Sequence, residues 1–111
     1  MDLARILLVE DQETTREFVG MILGDAGYDV DHAADGGEAL QRLEEETYDL
    51  VLTDLKLGDL SGIDVLKKAR SLQDPPAVII ITAYGSIENA VEAIKVGAYD
   101  YLTKPVSSDE L

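Results

Sequence analysis

Five side chains in this sequence stand where apolar runs end, and as a set they have the makings of a reactive site. Glu10 and Asp11 follow ILLV, Asp54 follows LVLT, Thr82 closes AVIIIT, and Lys104 follows YLT. Three carboxylates within a few ångströms repel one another, and a divalent cation relieves that repulsion. Carboxylate oxygens suit Mg²⁺ (or Mn²⁺). Three carboxylates, one such cation and one lysine sum to zero charge, and the cation and lysine can then receive a phosphoryl group. Asp54 would be the nucleophile, since carboxylates form aspartyl-phosphates. Lys104 and the cation would neutralise the equatorial oxygens in flight, and the Thr82 hydroxyl would donate to one of them.

Each residue also has a plainer reading. Glu10 and Asp11 would suit the positive end of a following helix. Asp54 could be a turn aspartate, Thr82 a β-branched strand residue, and Lys104 a surface lysine. The chemical reading requires a fold that brings all five to one place. Parallel strands leaving one sheet along a common edge would do so, because neighbours lie about 4.8 Å apart.

The rest of the sequence supplies such strands. Residues 4–9 (ARILLV) form a continuous apolar run suited to a strand buried on both faces. A helix is expected over 13–26, with Phe18, Met21 and Ile22 at helical spacing and Gly27 as its stop. Residues 28–33 (YDVDHA) alternate, as a half-exposed edge strand would. Asp35 and Glu38 match a capping box before a helix with Ala39, Leu40 and Leu43 inward. Residues 49–53 are the third strand; Ser61 then caps a helix carrying Val65, Leu66, Ala69 and Leu72. The prolines at 75–76 break the chain, and 77–82 is the most apolar strand. Ser86 caps a fourth helix with Ile87, Ala90, Val91 and Ile94 on one face, Gly97 ends it, and 99–103 is the fifth strand. This alternation predicts an α/β, doubly wound, five-stranded parallel sheet with helices on both faces. Strand order 2-1-3-4-5 puts the most apolar runs inside. Ser107 to Glu110 repeats the capping spacing, so a fifth helix should start where almost no residues follow. The expectation is one domain over 1–111, a truncated piece of a longer chain with its final helix largely missing.

Composition narrows the function classes. The chain has 111 residues, 23 acids against 9 bases and a net charge of −14. Such a surface repels polyanions, which argues against direct nucleic-acid binding. No apolar run nears the roughly 20 residues that span a bilayer, and the start MDLARILLVED lacks a signal-peptide pattern. The absence of cysteine excludes disulfides and thiolate metal sites and suits a cytoplasmic protein.

The motifs ILLVEDQ, LVLTDLKLGDLSG, VIIITAYG and AYDYLTKP together resemble the receiver domain of bacterial two-component response regulators. The resemblance covers the whole chain except the last helix and implies a flavodoxin-like fold, from which the strand order given above is partly borrowed. It implies that Asp54 takes phosphate from a histidine kinase, and that Mg²⁺ is held by Asp11 directly, Glu10 through a water, Asp54, and the backbone carbonyl of Lys56. It further implies that Thr82 and Tyr101 form a switch pair, that Lys104 is the site lysine, and that Lys56 and Tyr84 tune phosphoryl lifetime. The surface around 87–96 and 99–102 would then meet another receiver, as a homodimer, or an output domain. The run TAYGSIENAVEAIKVGAYDYLTKP looks more narrowly like receivers of nitrogen-regulator type, which control an AAA+ ATPase followed by a helix-turn-helix domain and so regulate transcription. One departure is Gly58, where many receivers have proline, leaving the loop more flexible.

Other readings differ at named residues. An Asp-nucleophile phosphohydrolase usually carries a second aspartate two residues after the nucleophile, where Lys56 stands. A flavodoxin-like cofactor module needs a phosphate-cradling loop after strand one, but EDQETT puts acids there. A receiver used only for docking, without phosphorylation, would have lost a site residue. His32 reads as a surface residue; Tyr28, Tyr48 and Tyr99 as packing residues; Asp49 as a turn or cap residue; and Asp59 as solvated.

Overall fold

The computed structural model describes residues 4–82 and 87–103. The expectations for Tyr84, the Ser86 cap, Lys104 and the fifth helix at 107–110 lie outside them. The elements are β1 (Arg5–Val9), α1 (Glu13–Asp25), β2 (Asp29–Ala33), α2 (Gly36–Glu45), β3 (Leu50–Asp54), α3 (Gly62–Arg70), β4 (Ala77–Thr82), α4 (Ile87–Val96) and β5 (Asp100–Thr103). All neighbouring strands pair in parallel, in the order β2-β1-β3-β4-β5. The alternating strand β2 is therefore an edge, and the apolar strands β1 and β4 are interior, as the hydrophobic pattern predicts.

Two apolar layers sandwich the sheet. On one side Leu7, Val9, Val51, Val78 and Ile80 meet Ala39 and Leu43 of α2, Ile63 and Leu66 of α3 and Ala93 of α4. On the other, Ile6, Leu8, Leu52 and Ile81 meet Val19 and Leu23 of α1. Beside α1, Leu50, Ile79 and Leu102 are half-buried and line an apolar groove with Leu23 and Tyr28.

Local signals fix the helix starts. Asp35 accepts from the Glu38 N–H at 2.7 Å, and the Glu38 carboxylate reaches back to the Ala34 N–H at 2.9 Å, one residue beyond the usual capping-box partner. Ser61 and Asp64 form a full capping box at α3. Gly27 follows α1 with φ +97°, which glycine adopts without a side-chain penalty.

Docking on the sheet decides which side chains of α1 and α4 are buried, and one packing expectation is corrected. In α1, Phe18 and Met21 are exposed, while Val19 and Leu23 face the sheet. In α4, Val91 and Ile94 are exposed and Ala93 is buried, because a small side chain lets the helix approach β5. Tyr48 is buried, but Tyr28 is 41% and Tyr99 76% exposed, so the latter two are not core residues. His32 is exposed as expected, and its ring lies over Gly20 of α1.

Arg5 holds the other end of the sheet. Its guanidinium reaches Asp31 and Glu46 at 2.8 Å each and Asp29 at 3.6 Å, and lies 5.2 Å from the centre of the Tyr48 ring. Asp49 accepts from the Arg5 N–H at 2.8 Å, so this aspartate caps the start of β1. Tyr48 donates to Asp31 at 2.7 Å. Burial, then this hydrogen bond and the Asp31 charge, push the Tyr48 hydroxyl up from 10.0 to about 12.

Candidate functional site

The sheet delivers carboxylates to one edge because β1 and β3 are adjacent and parallel. Val9 pairs with Thr53, so the residues after Val9 and the end of β3 leave the sheet side by side. Glu10, Asp11 and Asp54 each place a carboxylate oxygen within 4.8 Å of the others. Glu10 and Asp54 are buried, at 3% and 8% exposure, and Asp11 is exposed. Burying two acids so close together is costly unless a cation or donors compensate.

Nearby groups hold these acids in place. The Glu10 N–H donates to Ala33 at 3.0 Å, which ties the site to the end of β2. Arg16 of α1 donates to the Glu10 carbonyl at 2.8 Å, and the Gln12 N–H to the Glu10 carboxylate at 3.3 Å. The Lys56 N–H donates to Asp54 Oδ1 at 3.3 Å, and the Thr53 hydroxyl to the Asp54 carbonyl at 3.0 Å. Thr82, fully buried, ends β4 one residue beyond Ile81, the partner of Asp54. Tyr101 is half-buried against the larger core. The Lys56 side chain is exposed.

The donor set fits a hard divalent cation. Two ligands of one Mg²⁺ can be at most about 4.2 Å apart, at about 2.1 Å each. Oxygens within 4.8 Å of one another satisfy this after small side-chain shifts, or with one acid bound through a water. Mg²⁺ usually keeps several waters, so an open, partly exposed site suits it. Asp11 supplies that open side.

The sequence matches the response regulator receiver domain over residues 6–111. The chain belongs to that family. Its relatives include the transcriptional regulatory protein ZraR of Escherichia coli K12, 42% identical over 106 residues, a match covering 96% of this chain and 24% of ZraR. The receiver thus spans about a quarter of the length of that relative. Among solved structures, a CheY-like receiver from Methanospirillum hungatei JF-1 superposes with TM-score 0.94 at 38% identity, covering 98% of this chain and 87% of that one. The beryllofluoride-activated NtrC4 receiver dimer superposes with TM-score 0.88 at 33% identity, covering 95% and 87%. These relatives make it a receiver of the kind found in two-component systems, similar to those of nitrogen-regulator type. No helix among the described residues is long and apolar enough to cross a membrane.

Two features of this receiver's site escape sequence reasoning. Arg16 acts on a backbone carbonyl six residues before it, and no side-chain pattern signals that. Asp59 is the other: it is exposed, as expected, but it is also held by backbone donors. Its carboxylate accepts from the N–H groups of Gly36 at 2.9 Å, Gly37 at 3.0 Å and Leu60 at 2.7 Å. The Gly36 and Gly37 donors hold its carboxyl below the usual carboxylate range.

Proposed function

We propose that this receiver takes a phosphoryl group from a histidine kinase onto Asp54 and uses it to control an output domain, in the cytoplasm. The observation that carries this reading is the buried acid Asp54 within 4.8 Å of Glu10 and Asp11 at the edge where β1 and β3 leave the sheet. One Asp54 oxygen attacks phosphorus in line as the bond to the kinase imidazole breaks, and the imidazole departs with that electron pair. Glu10, Asp11, Asp54 and the Lys56 carbonyl would hold Mg²⁺ (or Mn²⁺), Glu10 through a water, and the cation would supply positive charge to the phosphoryl oxygens. Lys104 pairs with a phosphoryl oxygen, and the Thr82 hydroxyl donates to another.

Thr82 and Tyr101 then act as the switch. The threonine turns toward the phosphoryl group, and the ring of Tyr101 follows inward, shifting the population of the α4–β5 surface. Exposed Val91, Ile94 and Tyr99 give that surface its apolar character. Its partner is a second receiver or the output domain, for which an AAA+ ATPase with a helix-turn-helix domain fits the resemblance, in a longer regulator of transcription. Lys56 and Tyr84 shield the acyl phosphate from water; an unchanged dephosphorylation half-life in Lys56→Ala and Tyr84→Ala would end that assignment. The receiver catalyses only its own phosphorylation and dephosphorylation.

The deciding experiment is incubation with acetyl phosphate and Mg²⁺, followed by mass spectrometry. One phosphoryl group should be gained and mapped to Asp54, and Asp54→Asn should gain none. Beryllofluoride with Mg²⁺ should shift NMR signals near Asp54, Thr82 and Tyr101. A site that stays unmodified and unshifted would reject the mechanism in favour of a docking-only receiver.

A further inference from the structure

The loop between β3 and α3 leaves the Asp54 site through Lys56 and returns at Ser61, which forms an antiparallel bridge with Lys56. The Leu57 N–H donates to the Leu60 carbonyl at 3.3 Å. Gly58, at the tip, has φ +87° and open space where a Cβ would stand. Glycine gives such a tip no stiffness of its own, so the place of Lys56 depends on what else grips the loop.

Asp59 grips it. One carboxylate takes both Gly36 and Gly37 N–H groups at the first turn of α2, more than twenty residues earlier in the chain. The Leu60 side chain lies so close to Gly36 that a Cβ there would meet Leu60 Cβ at 2.7 Å. This contact is more than the helix needs for an ordinary cap. Asp35 already caps α2 through Glu38, and the Ala39 N–H bonds the Asp35 carbonyl at 3.1 Å. The N–H groups of Gly36 and Gly37, which also have no partner within the helix, are the two that Asp59 takes. An anion there is favoured by the helix dipole, and two bonds to one carboxylate fix orientation as well as distance.

We propose that Asp59 is a positioning residue of the phosphoacceptor site: by clamping the 56–61 loop to the first turn of α2, it sets the place of the Lys56 carbonyl and of the Lys56 N–H that meets Asp54. This rests on the reading that the Lys56 carbonyl is a metal ligand. It makes α2 a support of the site, although α2 contributes no residue to it.

The test compares this chain with Asp59→Ala, Asp59→Asn and Tyr48→Phe. Mg²⁺ affinity is measured by calorimetry, and phosphorylation by acetyl phosphate is followed at fixed Mg²⁺. Tyr48→Phe is the control: it removes the hydrogen bond to Asp31 at the opposite end of the sheet, away from the first turn of α2 and from the loop. Asp59→Ala should raise the Mg²⁺ Kd about three- to ten-fold, the effect of losing a capping carboxylate. Asp59→Asn, which keeps one acceptor but turns a second donor toward Gly37, should fall between, and Tyr48→Phe should leave the Kd unchanged. An unchanged Kd in the Asp59 variants, or an equal rise in Tyr48→Phe, overturns the proposal, the latter by showing a general stability effect. If Asp59→Ala does not fold, the Asp59→Asn and Tyr48→Phe pair gives the same decision. Failure of the unaltered chain to bind Mg²⁺ would instead overturn the metal-site reading, and this proposal with it.

Discussion

A Cβ added to Gly62 would overlap the carbonyl oxygen of Asp54 and come within 3.1 Å of Leu55 Cα. Both obstacles are backbone, so neither can rotate away. The Gly62 N–H also donates to the Leu55 carbonyl at 2.7 Å, so the start of α3 is bonded directly to the strand exit that carries Asp54. Gly62→Ala should therefore push the end of β3 outward. We expect a loss of about 1–3 kcal/mol in denaturant unfolding, typical of overpacking, together with slower phosphorylation by acetyl phosphate. Full stability and an unchanged rate would show that the strand exit tolerates the shift.

The acid cluster predicts metal dependence. Chelation of Mg²⁺ should stop phosphorylation of Asp54, and Mn²⁺ should restore it. Asp11→Asn should raise the Mg²⁺ Kd at least about ten-fold, since even outer-shell partners of a metal cost that much. Glu10→Gln should weaken binding less under the proposed role of Glu10, which reaches the cation through a water. Equal loss in the two variants, read by calorimetry, would mean that both acids bind directly.

Tyr48 predicts an alkaline limit at the opposite end of the sheet. Its hydroxyl is raised to about 12 by burial and by the bond and charge of Asp31, with Arg42 and Arg5 pulling the other way. A folded value above the unfolded one stabilises fully below about pH 10 and is lost as pH rises toward 12. Unfolding free energy should therefore fall across that window. Tyr48→Phe should flatten the fall and cost about 1 kcal/mol at neutral pH for the lost hydrogen bond. Ultraviolet titration of the two proteins would reveal whether the late-titrating phenol is Tyr48.

Exposed Val91 and Ile94 on α4 predict a separable surface. Ile94, 52% exposed, tolerates charge without disturbing the core. Ile94→Glu should keep thermal stability within about 0.5 kcal/mol, as surface changes do, and still accept a phosphoryl group. It should abolish any beryllofluoride-dependent gain in mass seen by light scattering. Assembly that survives the substitution would move the contact off this face.

The helix caps show how far local sequence reaches. Asp35 and Ser61 were legible because a cap and its partner lie within three residues of each other, and a Ser61→Ala change should cost about 1 kcal/mol for that reason. The convergence of Glu10, Asp11 and Asp54 was legible because parallel strands leave a sheet along one edge, whereas the strand order drew on the family resemblance as well as on the apolar pattern. The buried stripe of α1 was not. Phe18, Met21 and Ile22 match helical spacing as well as Val19 and Leu23 do, and only docking on the sheet, with Gly20 under His32, selects between them.

By itself, then, the sequence determined the alternation of strands and helices, the caps, and which acids stand at strand exits. These follow from neighbours a few residues apart and from the short reach of the hydrogen-bonded backbone. Tertiary structure alone decided that Asp59 clamps α2, that Arg5 gathers Asp29, Asp31, Glu46 and Tyr48, and that Gly62 touches Asp54. The Asp59 and Arg5 contacts join residues mostly twenty or more positions apart, and the one at Gly62 depends on how a helix start is seated against a strand end. Neither kind leaves a period in the chain, so each exists only once the layers are packed.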